Sequence, residues 1–280
     1  MNFHVLAFSA SISTVTKLHK THQIILRNKE MNFNRKTAIV TGISSERIAK
    51  SSLRKTSLIA GILYLLTFVS IPTLILYGPI HEPNYILRAG SDTSVIIGNI
   101  LEIIVALTSI GTAVMLYPVL KRQNEGMALG LVGSRILEAA TIFIGVMCLL
   151  TVVTLQQNGL GVEALVISRT LVTMYDRIFL IGQSFMPAIN DLLLGYLLYK
   201  SRLVPQRLAL IGFIGSGVLI VGDICVLFGI IGQHDTSTSL FAVPVAVFEF
   251  SLGVFLIVKG FKFTSTEYHI QDQVIQFGQE

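Results

Sequence analysis

The sequence predicts an all-α protein, a polytopic bundle of six transmembrane helices with both termini in the cytoplasm. Three observations predict it. Hydrophobic residues make up 52% of the 280 and charged residues only 13%, with a mean hydropathy of +0.71; an ordinary soluble domain carries about 25% charged residues. The apolar residues are gathered into six blocks, each about as long as a helix needs to cross a ~30 Å hydrocarbon core. Lysine and arginine are divided unequally between alternate connections, as in membrane proteins with short loops.

The blocks run approximately over 58–77, 95–120, 129–155, 178–199, 208–231 and 240–258. Helix is the required state, because backbone polar groups in lipid must be satisfied within the segment. A β-barrel would need alternating segments of about ten residues, and no such pattern is present. Residues 1–50 form a basic tail ahead of the membrane domain, 51–262, and residues 263–280 form a second tail. The short apolar stretch Val5–Ala10 has no basic residue before it and does not make a signal peptide. Seventeen of the 21 Lys and Arg residues fall in the two tails and in the second and fourth connections. Only Arg88, Arg169 and Arg177 fall on the other side, and Arg135 lies inside the third block. That division places both termini inside, on the cytoplasmic face. Tyr77, Tyr117, Tyr175 and Tyr199 stand at block ends, where an amphipathic ring suits the interface. The stretch between the third and fourth blocks, with Leu160, Glu163, Ala164, Ile167, Arg169, Leu171 and Val172, is expected to be amphipathic, lying on the outer surface or ordered as a loop helix.

The net charge of +5 does not point to nucleic acid, because the basic residues follow the loops. Cys148 and Cys225 sit in apolar blocks and read as small apolar filler, with neither a disulfide framework nor metal spacing. The run Lys36–Gly42 is like the first strand of a short-chain dehydrogenase. The residues after it, Ile43 to Ile48, contain none of the further glycines that a nucleotide turn requires, so no NAD site and no cofactor is expected. Gly182 to Met186 is like a nucleophile elbow but ends in methionine and follows no strand. His81-Glu82 and His234-Asp235 lie in two outer loops. The two pairs could share a metal, but isolated pairs without helical spacing make a weak site and read as solvated loop residues, so no metal is expected.

Several stretches carry a family resemblance. They are Arg54-Lys55-Thr56 with Ala60 to Phe68, Tyr117-Pro118-Val119-Leu120-Lys121-Arg122-Gln123-Asn124-Glu125-Gly126, Arg135-Ile136-Leu137-Glu138-Ala139, Leu194-Gly195-Tyr196-Leu197-Leu198-Tyr199 to Pro205, and Val258-Lys259-Gly260-Phe261-Lys262. From about Ser52 to Lys262 the chain resembles the domain-of-unknown-function 4386 family of bacterial multi-pass membrane proteins. That resemblance implies a membrane-embedded helical protein and carries no catalytic residue with it.

The informative residues are those that are costly at membrane depth. An ionised side chain at a helix centre costs about 2.5–3.5 kcal/mol on insertion scales, so such residues face the bundle interior and are functional candidates by default. They are Glu102 in the second block, Arg135 and Glu138 in the third, Asn190 and Asp191 in the fourth, Asp223 in the fifth and Glu249 in the sixth. Glu102, Asp223 and Glu249 are expected at similar depth in the outer half, with Asp191 deeper, around a polar cavity. Arg135 and Glu138, three apart on one face, are expected to pair nearer the cytoplasm. Gly182 and Pro187 predict a kinked fourth helix. Gly212, Gly215, Gly217 and Gly222 are expected to let the fifth helix approach a neighbour closely. Two readings of the polar set stay open, a shared functional cavity or scattered structural contacts. The first suggests a small-solute or proton-coupled transporter-like protein, with lipid and a small solute or proton as its partners. The second suggests an accessory or regulatory subunit without turnover. An intramembrane enzyme has least support, since no His cluster, serine site or metal motif lies at depth.

Overall fold

The computed structural model describes residues 50–88 and 92–262, together with Arg27, Lys29 and Ile48. The dehydrogenase-like run 36–42 and the Val5–Ala10 stretch lie outside them. The chain divides into a unit of residues 53–265, which holds the membrane helices, and a unit of 1–52 with 266–280. Among the described residues there is no strand. Six helices are long and apolar enough to cross a membrane: α1 Lys50–Leu76, α2 Thr93–Leu120, α3 Glu125–Gln157, α4 Gly161–Ser201, α5 Gln206–Leu227 and α6 Thr236–Val258.

Neighbours in sequence pack as neighbours in space, and the ring closes where α6 returns to α1. Arg54 and Ser57 of α1 donate to the Leu256 carbonyl of α6 at 3.0 and 2.8 Å. The side chains are sorted inside out relative to a soluble protein. Ile62, Leu74, Ile75, Leu107, Ile136, Leu137, Met147, Ile214 and Val247 are exposed on the outer surface, while Asn99, Glu102, Ser109, Arg135, Glu138, Asn190, Asp191, Ser216 and Asp223 are buried. Lipid is the solvent that rewards this arrangement, so the protein is membrane-embedded.

Three features depart from the sequence expectation. Helix α3 starts at Glu125, four residues earlier than its apolar block, because Asn124 caps it by accepting from the Met127 N–H at 3.0 Å. Arg135 therefore stands ten residues into its helix, about 15 Å along it. The amphipathic stretch before the fourth block is no separate surface helix; it runs straight into α4 as Leu165–Phe179. The join is a π-turn at Leu180–Phe185. Pro187 follows that turn at the start of the Met186–Ser201 segment. Its missing N–H removes one bond of the ladder, and a π-turn is a common way to absorb such a break. Finally, of the four glycines of α5, only three face a neighbour. A Cβ at Gly212 would stand 2.6 Å from the Phe248 ring, at Gly215 3.0 Å from Pro244 and at Gly222 2.6 Å from Phe241, all on α6, whereas Gly217 meets nothing within 4 Å.

Helix α1 is also irregular near its end. A 3₁₀ turn at Phe68–Ser70 precedes Pro72. Hydroxyls take up the carbonyls there: Thr67 donates to Tyr64 at 2.7 Å, Ser70 to Thr67 at 3.1 Å and Thr73 to Ser70 at 2.6 Å. In hydrocarbon an irregular backbone persists where it is buried in protein or borders a cavity.

Candidate functional site

The centre of the bundle is built around Arg135. Its side chain is 2% exposed, yet it is surrounded by three carboxylates from three helices. Nη1 lies 3.1 Å from Glu138 one turn further along α3, Nη2 lies 3.0 Å from Glu249 on α6, and Nη2 lies 3.8 Å from Asp191 on α4. The guanidinium carbon stands 5.7 Å from the centroid of the Tyr64 ring of α1, and the Tyr64 hydroxyl is 3.4 Å from Nη2. Glu138 accepts two further bonds, from Ser109 of α2 at 3.0 Å and from the Asn190 amide at 2.6 Å. Ser134 donates to the Asn190 carbonyl oxygen. Glu138 is thus satisfied on both oxygens, whereas both oxygens of the fully buried Asp191 lack a hydrogen-bond donor.

This arrangement revises the expected depths. Arg135 and Glu138 do not form a pair of their own near one surface; they belong to one cluster with Asp191, Asn190 and Glu249. The reason is reach: the long Arg135 side chain extends from α3 to carboxylates on α4 and α6.

Glu102 and Asp223 do not join that cluster directly. Glu102 accepts from the Tyr175 hydroxyl at 2.5 Å and from Gln183 at 3.1 Å, and its second oxygen has no donor. Asp223 accepts from Ser184 at 2.6 Å, and its second oxygen is likewise without a donor. Gln183 and Ser184 are consecutive residues of the π-turn of α4. Through them the two outlying acids are tied to the walls of a central cavity of about 200 Å³, which Arg135, Glu138, Gln183, Ser184, Pro187 and Glu249 line. The remaining wall includes Thr67, Phe68 and Ser70 of the irregular stretch of α1, Val105 of α2 and Leu219 of α5, so all six helices contribute.

Sequence reading passed over Tyr64, Ser109 and Ser134; it read Tyr175 as an interface ring and Gln183 and Ser184 only as parts of a rejected elbow motif, whereas Tyr175 is buried and the three bond to Glu102 and Asp223. A hydroxyl or an amide inside an apolar block is ordinarily silent, because it can bond to its own helix. Ser109 carried one signal: it lies seven residues after Glu102, on the same face of α2.

A second polar group lies at the end of the bundle that carries the α1–α2, α3–α4 and α5–α6 connections, here called the distal end. The structure brings His81 and His234 of two separate loops together, their ring centroids 5.5 Å apart, with Asp176 of α4 between them. His81 Nε2 is 3.0 Å and His234 Nε2 is 3.7 Å from Asp176 Oδ1. The His81 ring is held from behind, since Nδ1 is 2.8 Å from the Tyr77 carbonyl. Its hydrogen bond to Asp176 raises the His81 pKa above the ordinary histidine value, against partial burial, which lowers it. The other halves of the two pairs have local partners: Glu82 pairs with Arg88, and Asp235 accepts from the Gly232 N–H at 2.7 Å. The expectation of two unrelated solvated loops is therefore replaced by one cluster. Its third member, Asp176, carries no distinguishing signal in the sequence.

No curated protein and no solved structure matches the chain. The family comparison does match, over residues 59–260, which reach from within α1 to the end of α6 and contain both polar clusters. The chain belongs to the family described as domain of unknown function DUF4386.

Proposed function

We propose that the protein is a proton-coupled, transporter-like membrane protein for a small solute, with Asp191 and Glu249 as the carboxylates that exchange the proton. One observation carries this reading. Three carboxylates face a single guanidinium beside a cavity that all six helices line, and the two irregular backbone stretches, Phe68–Ser70 and Leu180–Phe185, border the same cavity. Three buried negative charges against one positive charge are not stable in a dry interior; a proton or a small cation has to accompany them. Glu138 is held by three donors and acts as the fixed counter-charge of Arg135. Asp191, without a donor, and Glu249, which borders the cavity, are the two sites where a proton is gained and lost. Broken helices at the midplane are a recurrent device for this chemistry, since they combine a binding site with a place to bend.

The test is proton movement in proteoliposomes that enclose a pH-sensitive dye, under an imposed pH gradient and with a panel of amino acids, amines and sugars outside. Solute-dependent proton flux is expected from the wild type, with a loss of at least about tenfold in Asp191→Asn and Glu249→Gln. Flux equal to that of empty liposomes under every condition would instead favour an accessory subunit, in which the cluster only joins helices.

The proposed setting is a bacterial plasma membrane with both termini cytoplasmic. Lys121, Arg122, Lys200, Arg202, Arg207, Lys259 and Lys262 lie at the end opposite the distal one, which supports this orientation. In a background lacking Cys148 and Cys225, single cysteines at Pro83 and Gly159 are expected to react with a membrane-impermeant maleimide in intact cells. A cysteine at Gln123 is expected to react only after lysis, and labelling of Gln123→Cys from outside would reverse the orientation.

A further inference from the structure

We propose that His81, Asp176 and His234 form a divalent transition-metal site of the zinc class at the distal end of the bundle. The site stands independently of any transport role of the central cluster. Imidazole and carboxylate are zinc ligands with bonds of about 2.0–2.2 Å, which places tetrahedral ligand atoms roughly 3.3 Å apart. The Asp176 Oδ1 atom lies 3.0 and 3.7 Å from the two imidazole Nε2 atoms, on either side of that spacing. The three ligand atoms all fall within 4.8 Å of one another. His234 is the most exposed of the three, at 68%, so its ring is free to close the remaining gap.

The tautomer of His81 is set for a metal. A carbonyl only accepts, so the Tyr77 carbonyl requires the proton on Nδ1 and leaves the lone pair of a neutral ring on Nε2, aimed at Asp176. Two acceptors, Nε2 and Oδ1, then face each other at 3.0 Å, and either a second proton or a cation must lie between them. Further hydrogen bonds brace the site. Gln233, next to His234, donates to the Asp176 carbonyl at 2.6 Å and pins the α5–α6 loop to α4.

Three protein ligands leave at least one coordination position for water or a small ligand. His81 and Asp176 also line a cavity of about 340 Å³, whose wall includes Arg169, Ser168 and Thr173. A metal bound between them borders that cavity. Its structural effect is to clamp three segments, the α1–α2 loop, α4 and the α5–α6 loop, which carry the distal ends of the helices around the central cluster.

The experiment uses the full chain in detergent, stripped with chelator, passed through gel filtration and titrated with ZnCl₂. The wild type is expected to retain about one zinc per chain, with a thermal midpoint raised by about 5 °C at saturating metal. The variant His81→Gln/His234→Gln is expected to lose both the zinc and the shift, while its metal-free midpoint stays near that of the wild type. The chain's other histidines, His4, His19, His22 and His269, lie in the tails; replacing all four with glutamine is expected to leave the distal zinc in place. Asp176→Asn keeps both imidazoles and is expected to weaken binding by at least the ~10–100-fold that loss of a bracing partner costs a metal site. Absence of bound zinc in the wild type, or equal zinc in the wild type and the double histidine variant, overturns the proposal and leaves His81 as a protonated partner of Asp176.

Discussion

Replacing Arg135 with leucine is expected to lower stability by about 3–5 kcal/mol, the usual cost of removing one partner from a buried ionic group. The variant strands Glu138, Asp191 and Glu249 together in the middle of the bundle without the guanidinium they face. Unfolding in mixed detergent micelles, followed by circular dichroism, measures the loss. The double variant Arg135→Leu/Glu138→Leu is expected to recover only part of it. Glu249 still lacks the donor it held at 3.0 Å, and Asn190 and Ser109 lose the carboxylate they served. Adding Glu249→Leu removes the second stranded acid, leaving Asp191, and is expected to recover more, since replacing buried ionic groups with well-packed apolar residues is often neutral. An equal loss in the single, double and triple variants would show that Arg135 does not hold these acids, whatever its distance from them.

Gly195→Leu is expected to have a comparable effect, about 3 kcal/mol, the upper end of the usual range for overpacking. A Cβ at this position of α4 would stand 2.8 Å from the Phe213 nitrogen, 3.1 Å from the Ala209 carbonyl oxygen and 3.2 Å from the Phe213 Cα, all backbone of α5. Backbone cannot swing aside as a side chain does, so the two helices must part, and Asp191, one turn back on α4, moves with them. The control is Gly217→Leu on α5, where the added carbon meets nothing within 4 Å and faces outward. It is expected to change the thermal midpoint by no more than a degree or two. If both variants unfold alike, the close α4–α5 approach is not what the glycine at 195 provides.

The contrast between these two glycines shows how far the linear pattern reaches. Block length and hydropathy are local properties, and lipid imposes helix on any such block. The six spans, the helical class and the burial of Glu102, Arg135, Glu138, Asp191 and Asp223 were therefore legible in the linear pattern. Family membership was legible as well: the resemblance was read from runs such as Arg135–Ala139 and Leu194–Tyr199, and the family match covers residues 59–260. The pairing of Arg135 with Glu138 needed only the three-residue spacing that puts both on one helix face.

What the chain order does not contain is which faces meet. The 3.0 Å approach of Arg135 to Glu249 depends on which faces α3 and α6 turn toward each other, which no local pattern specifies. The split of the acids into one central cluster and two outliers depends on the π-turn of α4, which turns Gln183 toward Glu102 and Ser184 toward Asp223. His81 and His234 lie 153 positions apart in two loops that look solvated one at a time, and only the closing of the helix ring sets them on either side of Asp176. By itself the sequence determined that this is a six-helix membrane bundle with costly charges inside. The tertiary structure alone decided which charges share a site, because hydropathy acts on each residue separately, whereas a charge cluster depends on irregular turns and close approaches that bring distant residues together.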